Sequence, residues 1–227
     1  MRNHLIRQLL FSGIVLAAMV GLSAWAWQTL PAGAQMPVHW GIDGTPDRYG
    51  EKWEGLLLLP GITVGLVILL SALLWIDPLR TNLQNSAKPY FITWSALLLF
   101  LAGLHIVIVM AGLGQPVALP MILSAGTGLL FIVMGNYFGK IRRNYTFGIR
   151  TPWTVASDRV WDKTHRLGGK LFMASGLLSL VAAFIGSAQV QFTVLMGSLL
   201  MTIAVLTLYS YWQWRQGRIV EGRQVDR

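Results

Sequence analysis

Three side chains able to do chemistry, His39, Asp43 and Asp47, recur every four residues within one polar segment of this sequence. On an α-helix that spacing aligns an imidazole and two carboxylates on one face, a pattern suited to a divalent cation or to proton transfer. Gly41, Gly44 and Pro46 stand among them, and these residue types argue against a helix. The segment offers a single nitrogen ligand, and the chain has no cysteine, so neither a zinc site nor a thiolate nucleophile is supported. His165 lies in a second polar segment and His105 in an apolar one. Catalysis needs such groups to converge on one side. The apolar segments between them keep them apart, so no catalytic residue, metal ion or cofactor is assigned.

Those apolar segments decide the class. Only 12% of the 227 residues are charged, against 54% hydrophobic, and the mean hydropathy is +0.56. Roughly 20 apolar residues cross a bilayer as a helix, and six stretches qualify, at about 9–27, 56–76, 91–113, 117–138, 171–188 and 192–212. The expected fold is all-α, a polytopic transmembrane bundle of six spans, because helices satisfy their own backbone groups in lipid. The 18 Lys and Arg are distributed asymmetrically: with both termini in the cytoplasm, 16 fall inside and 2 outside. The net charge of +9 therefore reads as a topology signal, and no motif supports direct binding of nucleic acid. Trp25, Trp27, Trp53, Trp75, Trp153, Trp212 and Trp214 fall near span ends, where indole rings favour the headgroup level. Residues 1–35 can also be read as a secretory signal, with Ala32-Gly33-Ala34 as a cleavage site, but the long apolar core and its flanking tryptophans favour a retained span.

Two polar segments interrupt this pattern on opposite faces of the membrane, an external loop at 28–55 and a cytoplasmic loop at 139–170. The external loop sets Arg48 and Lys52 against Asp43, Asp47, Glu51 and Glu54, for a net charge of −2. Its Pro and Gly content predicts a succession of turns, and the acidic balance suits a cationic ligand. The candidate ligand-binding residues are His39, Trp40, Asp43, Asp47, Arg48, Tyr49 and Lys52. In the cytoplasmic loop eight bases face Asp158 and Asp162. Its first half reads as irregular and its second as a helix capped by Ser157, with Val160, Trp161, Thr164, His165 and Gly168 along one face. Its bases suit anionic lipid, and its interleaved aromatics suit a protein partner. Within the spans, His105 is expected to pack by hydrogen bonding to a neighbouring helix. Gly61 with Gly65, Gly135 with Gly139, and Ala182 with Gly186 are small-residue pairs expected at close helix contacts.

The loop residues also resemble known families. Pro37-Val-His-Trp, Gly44-x-Pro-Asp-Arg-Tyr-Gly and Lys52 resemble the signature of a bacterial membrane domain of unknown function that often precedes SdpI-type segments. Gly135-Asn136, Asn144, Gly148-Ile-Arg-Thr-Pro-Trp-Thr154, Trp161-x-x-Thr-His165 and Gly168 resemble the SdpI family of immunity proteins. The resemblance implies a multi-pass protein of the bacterial cytoplasmic (inner) membrane that protects its cell against a secreted peptide toxin. It also implies capture of a cytoplasmic transcriptional repressor. The partner or signalling candidates it marks are Asn136, Asn144, Gly148, Arg150, Thr151, Pro152, Trp153, Trp161, Thr164 and His165. The competing reading is a small transporter or channel, which several polar residues at mid-membrane would favour.

The cysteine-free background makes the orientation directly testable. With an impermeant maleimide on intact cells, Asp43→Cys should be labelled and Arg143→Cys should be labelled only after permeabilisation. Labelling of Arg143→Cys from outside would reverse the assignment.

Overall fold

The computed structural model describes residues 2–225; Arg227, one of the basic tail residues, lies outside them. The chain runs α1 (Arg2–Thr29), β1 (Gln35–Trp40), β2 (Pro46–Glu51), α2 (Lys52–Ile76), α3 (Arg80–Asn85), α4 (Ala87–Gly112), α5 (Leu119–Phe138), α6 (Pro152–Ala156), α7 (Asp158–Ile185) and α8 (Ala188–Val225). Six of these helices, α1, α2, α4, α5, α7 and α8, are long and apolar enough to cross a membrane, which bears out the six-span helical class. Large apolar side chains point outward along them, among them Ile14, Ile68, Leu129, Phe184 and Leu208. Such exposure is what lipid as a solvent allows.

The six helices form two groups of three. In the first, α1, α2 and α4 pack mutually around Met19, Leu74, Tyr90, Trp94 and Leu98. Polar ties reinforce the apolar contact: Tyr90 donates to the Leu70 carbonyl at 2.6 Å, and Ser95 donates to Gln8 Oε1 at 3.0 Å. Ser23 donates to the Leu56 carbonyl at 2.7 Å, which commits its only proton. His105 Nε2 lies 3.0 Å from Ser23 Oγ and 3.2 Å from the Met19 carbonyl, so that nitrogen must carry hydrogen and donate. The fully buried imidazole thus joins α4 to α1, the packing role expected of it.

In the second group, α5, α7 and α8 pack together, and α5 with α7 makes the most extensive contact among the described elements. A Cβ on Gly135 would stand 2.7 Å from the Gly169 carbonyl oxygen, and one on Gly128 would stand 2.7 Å from that of Gly176. The reciprocal positions are equally tight. Ser124 donates to the Ser179 carbonyl at 3.0 Å one step further along. Of the small-residue pairs read from the sequence, Gly61 and Gly65 have no neighbouring atom within 4 Å and face outward, and Gly139 meets only Arg166 at 3.8 Å. Gly186 lies beside its own helix's Ala182 carbonyl and Val190 at the α7–α8 corner. Of the glycines in these pairs Gly135 works as expected, and Ala182 is buried. The working pairs repeat every seven residues, two helical turns, which keeps them on the seam of two helices crossing at a shallow angle.

The polar segment at 28–55 departs from the expected run of turns, because β1 and β2 pair as an antiparallel hairpin with Gln35 opposite Glu51 and Met36 opposite Gly50. The register slips on either side of His39. Gly44, at a φ of +84°, provides the left-handed residue the connection needs, and Gly41 N–H closes it on the Thr45 carbonyl at 2.9 Å. In the other polar segment α7 begins at Asp158, with Ser157 Oγ accepting from the Val160 N–H at 3.4 Å, and runs unbroken through Gly168 and Gly169.

Because α5 and α7 meet backbone to backbone, Gly135→Val should destabilise the protein by ~1–3 kcal/mol through overpacking. Gly61→Val should be neutral. Thermal unfolding in detergent should separate the two, and equal effects would mean that the close contact is not what holds this pair.

Candidate functional site

The hairpin and the segment 139–157 lie at opposite ends of the bundle, the latter at the end where α1 begins and α8 finishes. Each reaches across the seam between the two helix groups.

At the hairpin end, Met36 is fully buried among Ala26, Leu30, Leu56 and Val109. It sits over Gly55 of α2 and Gly112 of α4, where a Cβ on either glycine would collide with it. That plug anchors the hairpin to the first group. The turn rests on the second: a Cβ on Gly44 would strike Pro120 at the start of α5 and approach Ala188 at the start of α8. Lys52 is occupied structurally, donating to the carbonyls of Trp27 and Leu30 at 3.1 and 2.5 Å and lying 5.7 Å from the Trp27 ring. These are carbonyls at the end of α1 that the helix itself leaves unpaired. Arg48 pairs with Glu54 at 2.7 Å.

His39 and Asp47 meet across the hairpin, with Nδ1 2.6 Å from Oδ1. Asp43 does not join them. Its carboxylate accepts from the Thr45 backbone N–H at 3.1 Å and from the Thr45 hydroxyl at 2.8 Å, which holds its pKa below the usual aspartate value. Among the described residues no group of three His, Asp or Glu is placed to hold a metal ion. Tyr49 is exposed, while Trp40 turns partly inward and lines a cavity beneath the hairpin. The surface left for a ligand is therefore an exposed His–Asp pair, Asp43 and Tyr49, beside an apolar recess.

At the other end a buried carboxylate organises the segment. Asp77, 2% exposed just beyond α2, accepts from the Leu79 N–H at 2.7 Å, the Tyr145 N–H at 2.9 Å and the Thr146 hydroxyl at 2.7 Å. Asn82 donates to the Arg143 carbonyl and Ser86 Oγ accepts from the Arg142 N–H. Asn144 is fully buried and turns the chain on itself, its Oδ1 accepting from the N–H groups of Thr146 and Phe147. Phe147 meets Tyr90 edge to face at 5.3 Å. These contacts tie residues 142–147 to the first helix group.

Residues 148–154 are tied to the second. The His165 ring stacks on Trp161 at 4.0 Å, donates through Nδ1 to the Trp161 carbonyl at 2.9 Å, and accepts the Ile149 N–H at Nε2, also at 2.9 Å. Only the neutral ring with hydrogen on Nδ1 makes both bonds. Gly148, φ +117°, leaves the room, since a Cβ there would overlap Nε2. Gly168 does the same for the Ile149 side chain, and Trp161 Nε1 donates to the Ile141 carbonyl at 2.7 Å. Thr151 and Thr154 form a reciprocal capping box at the start of α6, with Pro152 at its first position. Thr151 also donates to Ser210 Oγ at 3.0 Å, and Thr154 to the Ile149 carbonyl at 2.9 Å.

The residues picked out by the motif thus divide. Asn144, Gly148, Thr151, Trp161, Thr164 and His165 are buried or engaged in building the segment. Arg150 is exposed and donates to the Tyr145 carbonyl at 2.7 Å; Tyr145 is itself exposed, and Trp153 is half-buried against Tyr211 at 5.1 Å. Asn136 faces outward on α5, away from the group. Asp77 carries no motif in the sequence. Its only signal is a lone acid before proline at the end of an apolar span.

Residues 140–210 match the SdpI/YfhL protein family, and residues 14–64 match a domain of unknown function, DUF1648, which bears out both resemblances seen in the loop residues. The chain is 23% identical over 192 residues to a Bacillus subtilis (strain 168) protein named immunity protein SdpI, covering 84% of this chain and 89% of that one. No solved structure matches. With its six apolar helices, the chain is a multi-pass membrane protein of bacterial type.

Asp77→Ala would strand the Tyr145 and Thr146 donors, and His165→Ala the Ile149 N–H. Each should cost ~1–3 kcal/mol locally, raising the open fraction of the segment ~5- to 150-fold. Limited trypsin digestion at Arg142 and Arg143 reads that opening directly, and unchanged cleavage in both variants would contradict the assigned ties.

Proposed function

We propose that this chain is a membrane immunity protein, whose hairpin meets a secreted peptide toxin outside the cell and whose segment 139–157 meets a cytoplasmic repressor. The observation that carries the reading is the similarity to an immunity protein over 84% of the chain, together with family matches that include both bridging segments. Orientation with both termini inside follows from the 16 to 2 partition of basic residues and sets the hairpin outside.

The charge distribution supports a division of labour. Outside, Asp43 and the exposed His39–Asp47 pair suit a cationic peptide, with Trp40 and Tyr49 to meet its apolar side chains. Inside, Tyr145, Arg150 and Trp153 present aromatic and guanidinium groups of the kind that dominate protein interfaces. Both segments touch both helix groups, so a toxin that binds one relative arrangement of the groups more tightly changes the geometry of the inner segment. Only such a difference in affinity can move the equilibrium. A transport path would need polar lining through the bilayer, whereas the cavity under the hairpin is walled almost wholly by apolar side chains.

Expression in a toxin-sensitive bacterium challenged with secreted peptide toxins tests the reading. Wild type should raise the inhibitory concentration of at least one toxin. His39→Ala should lower protection about tenfold, the equivalent of ~1.4 kcal/mol, at undiminished membrane levels. Arg150→Ala should keep protection and lose capture of the repressor. Absence of protection against every toxin would remove the immunity reading and leave the fold untouched.

A further inference from the structure

Asn136 takes no part in building the segment 139–157, although it belongs to the same motif. It is exposed on α5, two residues before the helix ends at Phe138. An amide turned toward hydrocarbon has two N–H donors and an acceptor that lipid chains cannot satisfy. A partner for it must come from the headgroup side.

Three cations share its surroundings. Gly135 of α5 meets Gly169 of α7 across the seam, and both helices are right-handed and antiparallel. The residues that follow these glycines, Asn136 and Lys170, therefore turn to the same side. Arg166 lies one turn from Lys170 on that side, with its Cγ 3.8 Å from where a Cβ on Gly139 would stand. Lys140 follows Gly139, its Nζ 4.8 Å from the centre of the Tyr137 ring. Lys140, Arg166 and Lys170 are all exposed. The ion pairs of the described residues are His39–Asp47, Arg48–Glu54 and Arg143–Asp158, so none of the three cations is neutralised by an acid of this chain. Asp162, one turn from Arg166 on the far side from Lys170, is exposed and joins none of those pairs.

Depth decides what meets this charge. Lys140 comes directly after the apolar stretch of α5 and Lys170 directly before that of α7, which sets both at the edge of the hydrocarbon. On the bilayer side of them Met173, Leu177 and Leu129 are 37%, 56% and 55% exposed, as lipid-facing side chains are. A shallow apolar groove of about 340 Å³ begins at Val133, one turn from Asn136, and runs between α4 and α5 past Leu129, Phe100 and Gly103. A soluble acidic protein does not reach this level, whereas a lipid phosphate lies at it. A zwitterionic headgroup would bring its own ammonium against three cations, so a net negative one fits better.

We propose that this face binds an anionic phospholipid of the leaflet bordering segment 139–157. Its phosphodiester lies among Lys140, Arg166 and Lys170, the Asn136 amide donates to a phosphate oxygen, and one acyl chain lies in the groove between α4 and α5. The site is independent of toxin protection. Its occupant touches α5 and α7 where the segment 139–157 leaves the bundle.

Native mass spectrometry of the full-length protein in non-ionic detergent, titrated with dioleoyl phosphatidylglycerol or dioleoyl phosphatidylcholine, gives the test. Wild type should retain the glycerol lipid at least fivefold more tightly than the choline lipid. Arg166→Gln with Lys170→Gln should weaken that binding about fivefold for each base removed. Arg7→Gln with Arg80→Gln removes the same charge from exposed positions at the same end of the bundle and should change it less than twofold. Asn136→Leu, which leaves the charge intact, should cost threefold to tenfold. Gly103→Phe, at a glycine with open space around it, should fill the groove and weaken retention as well. Asn136, Arg166 and Lys170 are exposed, so these variants should melt as wild type does in lipid-free detergent. Millimolar inorganic phosphate should leave the lipid in place. Equal retention of the two lipids, equal losses in the two double variants, no effect of Asn136→Leu or Gly103→Phe, or displacement of the lipid by phosphate would each overturn the proposal. Equal losses in the double variants would reduce the face to diffuse attraction, and displacement by phosphate would assign it to a soluble anion.

Discussion

Hydrocarbon gives an apolar helix no reason to prefer another helix over lipid, and that constraint governs the whole molecule. What holds the bundle together has to be something lipid cannot supply. In the second helix group it is close backbone approach, with Gly128 and Gly135 set against Gly176 and Gly169. In the first it is hydrogen bonding from side chains with no alternative partner, as His105, Ser23 and Tyr90 show. Individually such bonds are modest, about 0.6 kcal/mol on average in membrane proteins. Together they select one arrangement among many of similar apolar contact.

Between the groups there is less of either. Helices α4 and α5 touch, but the more specific connections are made at the two ends by polar segments outside the apolar stretches. The hairpin is plugged into the first group by Met36 and rests on the second through Gly44. The segment 139–157 hangs from Asp77 on one side and from Trp161 and His165 on the other. Two straps at opposite ends of one seam offer a physical route by which an event at one end can be felt at the other. The apolar recess under the hairpin lies on that seam.

The motif residues are accordingly of two kinds. Gly148, Thr154, Trp161 and His165 are required because of what they build: a glycine-sized gap, a neutral imidazole filling it, and an indole that closes a loop carbonyl. Arg150, Tyr145 and Trp153 are what the built segment shows to its surroundings. A string of adjacent residues such as Gly148-Ile-Arg-Thr-Pro-Trp-Thr154 mixes the two kinds, and nothing in their order separates them.

Class, number of spans and the two polar segments were legible from the sequence, because apolar length is set by bilayer thickness and needs no knowledge of neighbours. The cap at Ser157 and the aromatic face of α7 were legible for a similar reason, being local. What lay beyond it depended on pairings across the fold. The periodicity of His39, Asp43 and Asp47 fits a helical face, which Gly41, Gly44 and Pro46 argue against; which of the three meet is decided by cross-strand pairing, which brings His39 to Asp47 and leaves Asp43 to its own turn. Gly61 and Gly65 have the right spacing but face outward, while Gly128 and Gly176, each seven residues from Gly135 and Gly169, make the close contact outside any four-residue pattern. Asp77 and Gln191, the latter donating to the Ala183 and Gly186 carbonyls at the end of α7, belong to no motif in the sequence. Their importance comes from burial among particular partners, and burial is a property of tertiary structure that residue type alone does not carry.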